Sequence, residues 1–147
     1  MNFRYIKIML LTGIVLMSIS ACKSQLGTWS EIKKSVVFPG VEEGSKYMVY
    51  TADFKVLKPL KINKINLLLP DKSLEIKDYK IIDKKAGIIL PGKKIIPAGD
   101  YRLKADLIYS EELAQKGDQL QIHLQSETGK TFIITVPVIQ GKIIMRM

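Results

Sequence analysis

Two side chains that could do chemistry occur once each, the thiol of Cys22 and the imidazole of His123. A thiol beside an imidazole can act as a nucleophile with its base. Here the two are a hundred residues apart, and the cysteine sits directly behind the hydrophobic run Ile8 to Ile19. Paired carboxylates occur only as sequence neighbours, Glu42-Glu43 and Glu111-Glu112, and adjacent side chains diverge rather than meet on one substrate atom. Met145 and Met147 are thioethers of the kind that holds Cu(I), with His123 as a third donor, but methionines at a chain end are ordinary residues. There is no Gly-x-Ser-x-Gly, no His-Glu-x-x-His, no phosphate-cradling glycine loop and no dinucleotide fingerprint. The expectation is a chain with no catalytic set, no metal and no cofactor.

One polar pattern remains. Gln119, Gln121, His123 and Gln125 alternate with Leu120, Ile122 and Leu124. In a strand that spacing turns the apolar residues inward and lines the outer face with amides and an imidazole. Such a ladder can hydrogen-bond sugar hydroxyls, or it can hold only water. It is the candidate ligand face.

Cys22 calls for different chemistry. Arg4 and Lys7 open the chain with positive charge, and the apolar stretch behind them is about a dozen residues long. A membrane-spanning helix needs roughly 20, so this segment is too short to stay as an anchor. It ends in Ile19-Ser20-Ala21-Cys22: an aliphatic residue, two small ones, then cysteine. That ending resembles the lipobox of bacterial lipoproteins, which signal peptidase II cuts. The resemblance implies cleavage between Ala21 and Cys22, a diacylglyceryl thioether on the Cys22 sulfur, and acylation of the new amine. Each buried methylene contributes about 0.8 kcal/mol, so two or three chains make the anchor permanent. Lys23 stands where the inner-membrane retention pattern of enteric lipoproteins has Asp. The resemblance therefore points to the cell envelope, and to the outer rather than the inner membrane in a host that has both.

Removing residues 1–21 leaves enough chain for one core and not for two. With its only cysteine lipidated, that chain has no disulfide and must be stable through packing. The formal charge of +9 falls to +7 when Arg4 and Lys7 leave. The remaining cations are nearly all lysines spread along the chain. Guanidinium forks and stacking aromatics are scarce, so nucleic acid is excluded as a partner. A solvated lysine surface is the plain expectation; attraction to anionic lipid, phosphate or acidic polysaccharide is the alternative.

Residues 22–30 are expected to form a lipidated N-terminus and tether. Its Lys23 to Ser30 portion could reach roughly 25 Å if extended, with Trp29 either plugging the base of the domain or lying at the membrane interface rather than serving as a ligand platform. From there to 147, period-two alternation dominates. Met48, Tyr50, Ala52, Phe54 and Val56 share one face, as do Tyr101, Leu103, Ala105, Leu107 and Tyr109. Ser126 to Lys130 is a hairpin turn before Phe132, Ile134, Val136 and Val138. Only Ser110 to Lys116 has helical character. The fragment Ile96-Pro97-Ala98-Gly99-Asp100-Tyr101-Arg102-Leu103 resembles the approach to a late strand in immunoglobulin-like and fibronectin-III-like domains. The resemblance implies that the Tyr101 hydroxyl bonds back to the backbone of the preceding corner.

The expected fold over 31–147 is all-β, an antiparallel immunoglobulin-like β-sandwich of about seven to eight strands behind a cleaved signal helix. The expected function is a lipid-anchored, non-catalytic binding or structural module, an accessory protein contacting another envelope component. The alternative is a lipoprotein receptor for a glycan or anionic polymer.

Overall fold

The computed structural model describes residues 26–40, 44–91, 94–115 and 117–145. The leader, the Ala21–Cys22 junction, Glu42-Glu43, Arg146 and Met147 lie outside the described residues.

The described residues are all-β, with one short helix. Its strands are β1 (Gly27–Trp29), β2 (Ile32–Phe38), β3 (Tyr47–Val56), β4 (Leu60–Leu68), β5 (Ser73–Glu75), β6 (Tyr79–Asp83), β7 (Ile89–Leu90), β8 (Gly99–Ile108), β9 (Gln119–Ser126), β10 (Thr131–Gln140) and β11 (Ile144–Met145). The helix α1 (Glu111–Ala114) is capped by Ser110, whose side chain accepts from the Leu113 amide. The strands form one continuous sheet in the order β5-β4-β9-β10-β2-β3-β8-β6-β7, with β1 added to β3 and β11 to β2.

Alternation places the core. Met48, Tyr50, Ala52, Phe54 and Val56 of β3 are buried together with Tyr101, Leu103 and Ala105 of β8. Leu60, Ile62, Ile65 and Leu67 of β4 and Leu120, Ile122 and Leu124 of β9 join the same cluster. Both halves of the curled sheet thus drain into one core. Trp29 stacks on Phe54 at 4.0 Å between ring centroids, and Phe54 leans on Tyr101 at 5.6 Å, so Trp29 is a plug as expected. The Tyr101 hydroxyl donates to Pro97 O at 2.8 Å, which is the corner bond that the Pro97 to Leu103 fragment implied.

Three expectations need correction. Eleven strands form among the described residues where seven to eight were expected, because β1 falls in the stretch expected as tether, β2 has a lysine at an inward position that breaks its alternation, and β5 and β6 are two strands rather than one. The pairing is mixed rather than antiparallel, since β10 and β11 both run parallel to β2. The last strand pair is in effect one segment that leaves β9 and turns along β2, bending at Gly141, where a Cβ would fall 2.4 Å from the Ser35 hydroxyl and 2.9 Å from Lys34 O. Finally, the tether does not extend to residue 30. Leu26 is buried and β1 is zipped to β3, with Ser30 donating its hydroxyl to Asp53 O at 2.7 Å where β1 passes into β2.

The inward face of β2 carries a lysine. Lys34 Nζ lies 2.8 Å from Asp118 Oδ1, and both side chains are 1% exposed. The ammonium also donates to Leu113 O at 2.7 Å and to Gln115 O, while the Tyr50 hydroxyl donates to Asp118 Oδ2 at 3.3 Å. Burial first, and then the charge and hydrogen bond of Asp118, hold the Tyr50 hydroxyl far above the ordinary phenol range. It stays protonated and works as a donor.

Removing one partner of a buried ion pair strands the other charge, at about 3–5 kcal/mol. Asp118→Ala is therefore expected to lower unfolding free energy by that amount in urea titration. Lys34→Met/Asp118→Leu should recover only part of it, because the Leu113 and Gln115 carbonyls would then lack a donor. A loss below about 1 kcal/mol for Asp118→Ala would show that the pair is not a clamp. Tyr101→Phe should cost about 1 kcal/mol through the lost bond to Pro97; an unchanged melting temperature would rule that bond out as a stabiliser.

Candidate functional site

The polar ladder lies on the outer face of the β4–β9 pair. Leu120, Ile122 and Leu124 are buried, which turns Gln119, Gln121, His123 and Gln125 outward. Register then decides their neighbours: Lys61 lies opposite Gln125, Lys64 opposite His123, Asn66 opposite Gln121 and Leu68 opposite Gln119. The register slips between Ile62 and Lys64, leaving Asn63 as an extra residue. A bulge of this kind re-aims a side chain. Asn63 and Lys64 are consecutive, yet both are exposed, and Asn63 Nδ2 donates to Gln125 Oε1 at 3.2 Å.

A second knot lies two rungs away. Gln121 Oε1 is 3.1 Å from His123 Nε2 and 3.3 Å from Asn66 Nδ2. Asn66 Nδ2 also lies 3.4 Å from His123 Nε2, so the three side chains close a small triangle. Thr131, Ile133 and Thr135 of β10 border the row, opposite Gln125, His123 and Gln121. Gln119 stands at its end, beside Pro137 and outside these bonds. The result is a flat array of donors and acceptors suited to hydroxyl or amide partners. Nothing in it activates a nucleophile.

Sequence reasoning reached the four β9 residues and missed Asn63 and Asn66, because pairing register is not visible in a single strand. The signal for the bulge was present: buried positions step by two from Leu60 to Ile62, by three to Ile65, then by two again to Leu67.

Other polar groups are committed to structure. Asp53 accepts from Arg102 Nε at 2.7 Å and Nη2 at 3.2 Å, and from Lys84 Nζ at 3.0 Å. The Arg102 hydrogen bond, helped by Lys84 and opposed by partial burial, lowers its carboxyl pKa to about 2. It is ionised at ordinary pH and ties β3, β8 and the β6–β7 turn together. Glu111 and Glu112 occupy the first turn of α1, where the helix dipole favours acids, and Glu112 pairs with Lys72. Among the described residues, no group of three His, Cys, Asp or Glu could hold a metal ion. Met145 lies on β11 and His123 in the middle of β9, so the copper set suggested by sequence has no common location among the described residues. No described helix is long and apolar enough to cross a membrane.

A second surface lies farther along the side of β2 that β10 also pairs with. Within the described sheet β11 pairs only with β2, and its other edge is unpaired. Ile143, Ile144 and Met145 are 67%, 42% and 76% exposed, and no charge interrupts them. An apolar sheet edge of this kind can template another strand.

No family model matches the chain, and no curated protein matches it. Among solved structures it is similar to one described as the X-ray structure of Northeast Structural Genomics Consortium target SoR45, with 10% identity over 76% of this chain and 82% of that one, at a TM-score of 0.37. A likeness at that level carries no argument about function.

Proposed function

We propose that the protein is a lipid-anchored, non-catalytic module of the cell envelope that docks another envelope protein. In fold it is an immunoglobulin-like sandwich whose terminal strands have joined its two sheets. Lipid on Cys22 fixes one end, and the partner adds a strand at the other. The observation that carries this reading is the open β11 edge with Ile143, Ile144 and Met145 exposed beside it. β11 lies alongside Val37 and Phe38, near the β2–β3 connection, whereas Leu26 emerges at the Val56 end of β3. Main-chain hydrogen bonds along such an edge give affinity, and side-chain pockets give choice.

A second reading is favoured by the amide ladder. Asn63, Asn66, Gln121, His123 and Gln125 form a hydrogen-bonding array that fits sugar hydroxyls, with Lys61 and Lys64 alongside for acidic groups. On this view the protein is a receptor for a glycan or anionic polymer.

Three experiments separate these. Cys22→Ser should abolish acyl labelling and leave an uncleaved or unanchored product; continued labelling with unchanged membrane attachment would overturn the anchor. Ile144→Lys should remove a stoichiometric protein partner that co-purifies after gentle detergent extraction. Gln121→Ala/His123→Ala should leave that partner in place and weaken glycan retention at least about tenfold if the second reading holds. A partner lost through the ladder variant but not the edge variant would overturn the edge assignment.

A further inference from the structure

The base of the domain is itself built to meet a surface. β3 runs from Tyr47 to Val56, about 30 Å at strand rise. Pairing registers place the β3–β4, β6–β7 and β7–β8 connections and the β9–β10 hairpin at the Val56 end. The chain also enters there. Gly27 pairs with Val56, and Leu26 O accepts from the amides of Leu57 at 2.8 Å and Lys58 at 3.3 Å. A Cβ on Gly27 would fall 2.3 Å from Lys55 O, so only glycine allows this close zippering.

Charge is sorted along the same axis. Lys58, Lys85, Lys94 and Lys130 are exposed at the base, whereas the Asp83 carboxylate there is occupied by the Lys85 and Ala86 amides at 2.9 and 3.0 Å. Glu127 of the β9–β10 hairpin and Asp100, opposite Lys55, are the exposed acids of this end, outnumbered by its lysines. At the other end the described acids Asp71, Glu111 and Glu112 gather around α1 and the β4–β5 turn. Aliphatic residues accompany the basal lysines: Leu57, Ile88 and Ile95 are 50%, 56% and 58% exposed. Lysine next to an exposed aliphatic side chain is the combination that meets phosphates while dipping between headgroups.

We infer that this base binds anionic lipid headgroups directly, so that the domain is pressed onto the membrane rather than lifted from it. The inference rests on the lipid-anchor reading for its geometry. Cys22 precedes Leu26 by four residues, which span at most about 14 Å fully extended. That is a little over half the reach expected of a tether ending at Ser30. The anchor brings the base to the headgroups, and the lysines and aliphatic tips hold it there. The outer faces of the sheet then stand along the membrane normal, with the β2–β3 connection and β11 farthest from the lipid.

The test uses a chain beginning at Lys23, which keeps every described residue and has no lipid. It is mixed with vesicles of phosphatidylglycerol and phosphatidylcholine, or of phosphatidylcholine alone, and sedimented. Binding is expected to the anionic vesicles only, and to fall as salt is raised. One lysine near such a surface is worth about fivefold. Lys58→Glu/Lys85→Glu/Lys94→Glu should therefore weaken binding at least about tenfold, whereas Lys77→Glu/Lys80→Glu/Lys142→Glu, with the same change in net charge, should weaken it by less than half as much. Equal loss in both triples would reduce the effect to net charge and overturn a basal site, as would binding to neutral vesicles or to neither. Because this chain lacks Cys22, its failure leaves the acyl-labelling result for the anchor unaffected.

Discussion

The buried pair of Lys34 and Asp118 is the constraint around which the sheet is organised. Taking an ammonium and a carboxylate out of water costs several kcal/mol each, and such a pair is tolerated only when its remaining hydrogen-bonding capacity is used. Here the three ammonium donors meet Asp118 Oδ1, Leu113 O and Gln115 O, and Tyr50 supplies a donor to Oδ2. The backbones of the same two residues hold the last segment of the chain: Val138 N donates to Asp118 O at 3.1 Å, and Gly141 N to Lys34 O at 2.6 Å. One polar knot thus fixes the first long strand, the connection that carries α1, and the point where β10 leaves β9 for β2. Beyond it, the two halves of the sheet are joined by the short parallel pairing of β10 with β2, by the Leu60–Ile96 bridge and by apolar contacts, which are tolerant of slip.

Much of this was legible in the chain and some was not, for physical reasons. The long strands β3, β8, β9 and β10 each bury one face, so period-two alternation marked Met48 to Val56, Tyr101 to Ala105, Leu120 to Leu124 and Phe132 to Val138. Ser126 to Lys130 has the chemistry of a tight turn, and Gly129 takes the positive φ of 87° such a turn needs. Lys34 could not be read this way. It occupies an inward position between Ile32 and Val36, and a lysine there breaks the pattern unless its partner, 84 positions away, is known. The parallel pairing of β10 and β11 with β2 was equally hidden, because nothing local in Val138 to Met145 records which strand lies alongside. Of the ladder, the β9 side was evident and the β4 side was not, since Asn63 reaches it only through a bulge.

The two ends of the β3 axis differ in chemistry. The end where the chain enters carries lysines and exposed aliphatic residues, while the other carries acids, α1 and an unpaired apolar edge. On the proposed anchor at Cys22, this polarity orients the molecule: lipid and base together, amide ladder on the flank, open edge outward. The lysine excess, which composition read as a solvated surface with anionic lipid or polymer as the alternative, then acquires a place and a partner.

The single tryptophan offers the most direct test of that orientation. Trp29 opposes Phe54, two residues from the Val56 end of β3 and on the entering strand itself. The lipidated protein would be reconstituted into vesicles whose headgroups carry a short-range quencher, and Trp29 emission compared with that in unlabelled vesicles. Strong quenching, retained by the Ile144→Lys edge variant and relieved by reversing the basal lysines, is the result expected of a domain seated base-first. Emission unchanged by the quencher would mean that the domain stands clear of the lipid, and would contradict the orientation proposed here.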